Sequence, residues 1–333
     1  MKKPEWLNKR LNYQSMKEMG EMFRSLNLHT VCEDARCPNM GECFKNRTAT
    51  FMILGDICTR NCRFCAIPGG KPTIVDQSEP KNLAEAAKKL GLAHVVITSV
   101  TRDDLEDGGS NQFAACIYEI RKVLPKSSIE ILIPDFKADR NALNTVINTK
   151  PEIINHNVET VPSLYSIARP MADYRQSLDV LQYVKQKDKN IYTKSGIMLG
   201  LGESEDELLA LFDDLLAVDC DMLTIGQYLP PSKNHASLKE FVRPEVFDRY
   251  KQIALLKGFR YVASGPYIRS SYNAIEHRLN SYDTSKPSAH RIQSILLSIY
   301  SHLLMSMIEC TRPKAVKPRI EKISTNLLTF VRQ

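Results

Sequence analysis

The stretch TFMILGDICTRNCRFC, residues 50–65, joins an apolar run to three closely spaced cysteines, Cys58, Cys62 and Cys65. The run TFMILG (50–55) is short, rich in β-branched and aromatic residues and closed by a glycine, the pattern of a buried strand. Further segments of this kind follow at HVVITSV (94–100), IEILIP (129–134), EIINHNV (152–158), IYTKSGIML (191–199), DMLTIGQYL (221–229) and RYVAS (260–264). Helical periodicity fills most of the gaps: NLAEAAKKLG, with Asn82 and Glu85 at capping-box spacing, FAACIYEIRKVL, SLDVLQYVKQK, EDELLALFDDLLAV and PEVFDRYKQIALLKG. Strand alternating with helix predicts a parallel sheet covered on both faces. About six such units predict an α/β fold of the partial TIM-like barrel kind.

Upstream of that first strand lies a second cysteine triad, Cys32, Cys37 and Cys43, so six of the nine cysteines fall between positions 32 and 65. Each triad, C-x4-C-x5-C and C-x3-C-x2-C, is one thiolate short of the four that close a cubane iron–sulfur cluster. The fourth iron of such a cluster is open to substrate or to a weaker ligand. Disulfides fit poorly in a chain of 333 residues with an odd cysteine count and no apolar leader in MKKPEWLNKRLNYQSMKEMGEMF. Structural zinc is the better rival, but its closed sites pair C-x2-4-C or Cys/His spacings that the wider gaps here do not supply. Cys116, Cys220 and Cys310 stand alone among apolar neighbours and read as inert core thiols.

At 43% hydrophobic and 25% charged, the composition is that of an ordinary globular protein. The most apolar run, ILLSIYSHLLMSMI, is broken by Ser and His, and a cytoplasmic location is expected. The net charge of +7 is concentrated at one end, because residues 286–333 hold eight Lys or Arg against two Glu. That tail shows little interleaving of aromatic and basic residues, so neither a nucleic-acid site nor a membrane anchor is expected. The segments divide into an N-terminal extension (1–48) carrying the Cys32, Cys37 and Cys43 triad, a β/α core (49–280), and a basic, helical C-terminal extension (281–333).

In a β/α barrel the reactive groups gather at the carboxyl ends of the strands. The Cys58 triad leaves the first strand there. Polar residues follow other strands in the same way: Thr98, Ser99, Thr101, Arg102, Asp103 and Asp104, then Asn155, Asn157 and Glu159, with Lys194 within the fifth strand. Singly each reads as a turn or cap residue; together they predict a polar pocket.

The loop CTRNCRFC, with Phe64 before its third cysteine, resembles the signature of the radical S-adenosylmethionine (SAM) superfamily. With CEDARCPNMGEC (32–43), TSVTRDDLEDGG (98–109), NHNVET (155–160), SGIMLGLGE (195–203) and GPYIRSSY (265–272), the chain resembles the lipoyl synthase family from about Val31 to Tyr272. Residues after about Asn280 match nothing expected of that family.

The resemblance implies that Cys58, Cys62 and Cys65 hold a 4Fe-4S cluster that binds and reductively cleaves SAM. Cys32, Cys37, Cys43 and Ser270 would hold an auxiliary 4Fe-4S cluster that donates sulfur. Two SAM molecules would serve each lipoyl group, made by sulfur insertion at C6 and C8 of a protein-bound octanoyl-lysine. By superfamily analogy Phe64, Thr98, Ser99, Asn157 and Glu159 would contact SAM, with Arg169 or Lys194 near its carboxylate. The implied partners are an octanoylated lipoyl carrier domain (a 2-oxoacid dehydrogenase E2 or the glycine cleavage H protein), a flavodoxin or ferredoxin as electron donor, and an iron–sulfur cluster carrier. Sister enzymes of the biotin synthase or methylthiotransferase type share CTRNCRFC, but the upstream triad and RSSY argue against them. A non-catalytic iron–sulfur carrier would leave the long barrel pattern unexplained, and a zinc-dependent nucleic-acid binder would rest on the basic tail alone.

Overall fold

The computed structural model describes residues 2–8, 12–46 and 48–272. These residues build one sheet whose strands follow in chain order: β1 (His29–Thr30), β2 (Thr50–Ile53), β3 (His94–Ser99), β4 (Ser128–Leu132), β5 (Ile153–Asn155), β6 (Tyr192–Leu199), β7 (Met222–Gln227) and β8 (Tyr261–Gly265). Strands β2 to β8 are parallel, and only β1 runs antiparallel, against β2. All seven strands expected from apolar runs are present. Residues of β2 and β7 are buried throughout, as parallel strands covered on both faces must be.

The helices are α1 (Tyr13–Ser25), α2 (Val31–Asp34), α3 (Met40–Lys45), α4 (Glu79–Leu90), α5 (Ser110–Val123), α6 (Arg140–Asn148), α7 (Tyr165–Ala168), α8 (Tyr174–Lys187), α9 (Glu205–Ala217) and α10 (Pro244–Lys257). The long ones return the chain from the carboxyl end of one strand to the amino end of the next. Helix α4 corrects the expected capping box: Asn82 and Glu85 lie inside it, because Pro80 sets the start one turn earlier, after Ser78. The capping box belongs instead to Ser204 and Glu207 at the start of α9. Helix α10 ends as expected at Gly258, whose φ of +127° a β-carbon would oppose.

The N-terminal segment is fastened to the sheet by hydrocarbon. Phe23 of α1 meets Phe44 of α3 and Phe51 of β2 edge to face, with ring centroids 5.7 and 5.9 Å apart. All three rings are buried in the core that also packs β2, β3 and α5. Cys116 and Cys220 are buried thiols, in agreement with their apolar flanks. Cys310 and the expected helical extension over 281–333 lie outside the described residues. Among the described residues no helix is long and apolar enough to cross a membrane.

Candidate active site

A cavity of about 1010 Å³ opens at the carboxyl ends of the strands, and all six clustered cysteines line it. Its walls also carry Phe64, Thr98, Ser99, Asn157, Glu159, Arg169 and Ser270. The two triads reach it from different directions. Cys58, Cys62 and Cys65 lie on the loop leaving β2, while Cys32 sits in α2, Cys37 in the turn after it and Cys43 in α3.

The Cys58–Cys65 loop is held in place by long-range polar contacts. Arg60, buried, forks onto Asp103 and Asp135, with Nε to Asp103 Oδ2 at 2.7 Å and Nη1 to Asp135 Oδ2 at 2.7 Å. Burial opposes both charges, yet the pairing more than offsets it: the guanidinium is raised and the Asp135 carboxyl is held well below the usual range. The amides of Arg60 and Thr101 donate to Cys58 Sγ at 3.4 and 3.3 Å. Asp103, expected in a polar pocket, thus positions the loop, and Arg102 likewise turns away to bind Asp104 and the Leu54 carbonyl. The partner carboxylate Asp135, 75 positions from Arg60, carried no signal in the sequence.

The thiols are in an environment that rejects isolated anions. Burial pushes Cys65 up to about 12 and raises Cys62 and Cys32, with neighbouring thiols of the same triad adding to the effect in Cys65 and Cys32. Three thiolates crowded here require a cationic centre among them, which is what an iron–sulfur cage supplies. Arg169, buried against Cys62, works in the same direction by favouring its ionised form.

Several buried polar atoms of residues lining the cavity have no hydrogen-bond partner among the described residues: Ser99 Oγ, Asn157 Oδ1, Arg169 Nε and His156 Nε2. Such orphans are costly unless a ligand satisfies them. Gly196 keeps the wall flat, since a β-carbon there would lie 2.6 Å from Thr224 Oγ1 and 2.7 Å from Asn157 Oδ1. Glu159 takes a left-handed φ of +68°, fixed by its amide donating to the Gly196 carbonyl and its carbonyl accepting from Met198, both at 2.9 Å. Burial raises its carboxyl while Arg169 and Asn157 oppose the rise. Thr98 donates to the Leu132 carbonyl at 3.1 Å, and Phe64 packs with Tyr228 and Leu201.

Lys194 departs from expectation. It does not line the cavity: fully buried in β6, its ammonium binds Glu130 Oε1 at 2.8 Å deep in the sheet interior. Its row, Leu132, Asn155 and Lys194, includes the last residues of β4 and β5, so it is the turn of the side chain toward Glu130 that takes it out of the cavity. Of the two cations named for the SAM carboxylate, Arg169 alone faces the cavity.

Residues 268–272 of the GPYIRSSY segment line this cavity. Asn39 Nδ2 donates to the Tyr267 carbonyl at 2.7 Å, Thr50 Oγ1 to Ser271 Oγ at 2.6 Å, and Tyr272 OH to Glu42 at 2.8 Å. Asn157 Nδ2 donates to Ser270 Oγ at 2.7 Å. Ser270 is thereby brought to the cavity of the first triad, while Ser271 is engaged by β2. Arg269, which the sequence reading passed over within this same motif, lines the cavity and donates from Nη1 to the Ile268 carbonyl at 2.6 Å; enclosure lowers its pKa, and Cys37, Tyr267 and Glu159 oppose the change.

Comparison with known proteins agrees with this geometry. The family profile described as "Radical SAM superfamily" matches residues 52–215. A lipoyl synthase of Caldanaerobacter subterraneus subsp. tengcongensis is 56% identical over 82% of this chain and 96% of its own length. The chain belongs to the lipoyl synthase family. A lipoyl synthase of Caldicellulosiruptor bescii is 52% identical over 82% of the chain and 94% of its own length, and one of Rubrobacter xylanophilus 52% over 82% and 86%. Among solved structures, Streptococcus suis SuiB bound to S-adenosylmethionine superposes with a TM-score of 0.53 at 12% identity, over 75% of this chain and 60% of that one. Methylornithine synthase (PylB) gives 0.50 at 14%, over 86% and 99%. At these identities the likeness concerns the fold alone. As a lipoyl synthase family member the chain is a sulfurtransferase, and its superfamily works with SAM and a 4Fe-4S cluster.

Proposed function

We propose that the chain inserts two sulfur atoms, at C6 and C8, into an octanoyl group carried on a lysine of a lipoyl carrier domain, in the cytoplasm. The observation that carries this reading is the convergence of both cysteine triads and Ser270 on one cavity. Cys58, Cys62 and Cys65 would hold one 4Fe-4S cluster, and Cys32, Cys37, Cys43 and Ser270 a second. When bound, the first cluster with SAM supplies a radical able to abstract hydrogen from a saturated carbon, two SAM per lipoyl group, and the second supplies sulfur.

The residues of the chain do the rest. Arg169, with a free Nε, fits the SAM carboxylate; Ser99 and Thr98 fit its amino end, Asn157 and Glu159 its ribose, and Phe64 its adenosine side. The GPYIRSSY segment covers the cavity and limits access of water. A serine oxygen is a harder ligand than a thiolate and a poorer match to iron in a sulfide cage, which suits a cluster that gives up atoms. The carrier domain would be a 2-oxoacid dehydrogenase E2 or the glycine cleavage H protein. A flavodoxin or ferredoxin would deliver electrons, and an iron–sulfur carrier would restore the second cluster.

The test is anaerobic incubation of the reconstituted protein with an octanoylated carrier peptide, SAM and dithionite. Mass spectrometry should show gain of two sulfurs and loss of two hydrogens. Cys62→Ala should abolish 5'-deoxyadenosine formation, whereas Cys37→Ala should retain it and yield no lipoyl peptide. Lipoyl product from Cys37→Ala would refute the sulfur-donor assignment.

A further inference from the structure

The electron that starts the proposed reaction must enter from outside, and the exterior of the Cys58–Cys65 loop has a distinctive surface. A second hollow, of about 390 Å³, lies there, lined by Arg63, Ile167, Pro170, His235 and Ala236 among others, with no Asp or Glu among its lining residues. Three loops are stitched together at this point: the Arg63 amide donates to the Ala168 carbonyl at 2.8 Å, and the Ala236 amide to the Arg63 carbonyl at 2.7 Å. His235 bridges the surface to the cluster loop, its Nε2 bound to the Cys65 carbonyl at 2.9 Å and its Nδ1 to Ser232 Oγ at 2.9 Å. The Nε2 contact is to a carbonyl, so Nε2 donates there. Around the hollow, Ile167 and Met171 are 59% and 55% exposed, large apolar side chains left in water, and Arg63 and Lys233 are exposed cations.

The geometry points to this face as the docking surface for a small electron-carrier protein with an acidic rim around its flavin or iron–sulfur group. The inference rests on the functional reading above and adds the place and the chemistry of the contact. Electron transfer weakens steeply with distance, and this is where Arg63, between Cys62 and Cys65, is exposed. In the transfer one electron leaves the reduced carrier and the site behind Cys58, Cys62 and Cys65 gains it; no bond forms or breaks at the surface. A small apolar centre flanked by cations and free of lining carboxylates is suited to a brief encounter that is steered by charge and then releases.

The test measures calorimetric binding of a purified oxidised flavodoxin to the reconstituted protein at low ionic strength. Lys233→Glu, in an exposed turn, and the double variant Ile167→Glu/Lys233→Glu should weaken binding, the double by about tenfold or more, and added salt should weaken wild-type binding. Ile74→Glu, at an exposed residue outside the hollow, should bind like wild type. Equal affinity in all four proteins, or equal loss in Ile74→Glu, overturns the assignment. SAM cleavage driven by dithionite should be unchanged in every variant, and an equal fall there also overturns it. Absence of dithionite-driven cleavage in the wild type would instead sink the functional reading, with the affinity comparison still judging the surface.

Discussion

Asn157, just past the end of β5, donates a 2.7 Å hydrogen bond to Ser270, 113 positions later in the chain. The same amide nitrogen reaches Glu159 Oε1 at 3.1 Å, so one side chain ties the RSSY motif to the residues proposed to hold the ribose. The two proposed cofactor sites therefore share a wall.

Replacing Ser270 tests that wall. Ser270→Ala keeps the backbone and removes one acceptor from Asn157, which retains Glu159, so the expected stability loss is about 1 kcal/mol. Lipoyl product should fall to background while 5'-deoxyadenosine still forms. Thermal unfolding and product analysis on the same preparation separate the two effects.

Gly226 lies beneath the covering segment, where a β-carbon would collide with the Ile268 carbonyl and come within 3.1 Å of Arg269 Nη1. Because the obstacle is backbone, it cannot rotate away. Gly226→Ala should cost about 1–3 kcal/mol and displace the RSSY motif. Lipoyl formation should drop further than SAM cleavage, as a ratio of the two products will show.

Arg60→Ala would leave Asp135 buried and without its cation. Breaking a buried pair in this way costs about 3–5 kcal/mol, more than any surface ion pair here could. The loop carrying the first triad should loosen as well. The expected outcome is a lower melting temperature together with reduced iron content after reconstitution.

His156 gives the protein a predictable acid limit. It is buried, its Nδ1 bonded to the Ile133 carbonyl at 2.9 Å, and burial lowers its pKa from 6.5 to about 4. Between those values the unfolded chain binds a proton that the folded chain refuses. Stability is thus complete above pH 6.5 and declines as pH falls toward 4, by on the order of 3 kcal/mol from this residue. His156→Gln should flatten that part of the melting-temperature profile relative to wild type; parallel profiles would refute the assignment.

Strands β2 to β8 were legible because each is a short, largely apolar run between breaks such as Gly55 and Gly258, whereas the two-residue β1 was not. The start of α4 was not, because Asn82 and Glu85 imitate a cap while Pro80 decides the matter. Helix α6 went unnoticed, since RNALNTVIN is only nine residues long and three of them are asparagine, a weak helix former. At the site, close spacing made the cysteines readable. Lys194 misled because a strand residue near a pocket looks the same in sequence whether it faces the pocket or a buried carboxylate such as Glu130. Contacts such as Arg60 with Asp135, or Asn157 with Ser270, join distant positions through the fold and leave no local pattern.

Cys43 is followed at once by Phe44, whose ring meets Phe23 edge to face, and Phe23 in turn meets Phe51. The floor beneath the second triad is thus oily and self-supporting, cohering without any inorganic mortar. For the sulfur-donating cluster proposed above, such a floor would leave the socket's shape independent of the atoms given up, so the chain could be recharged instead of discarded.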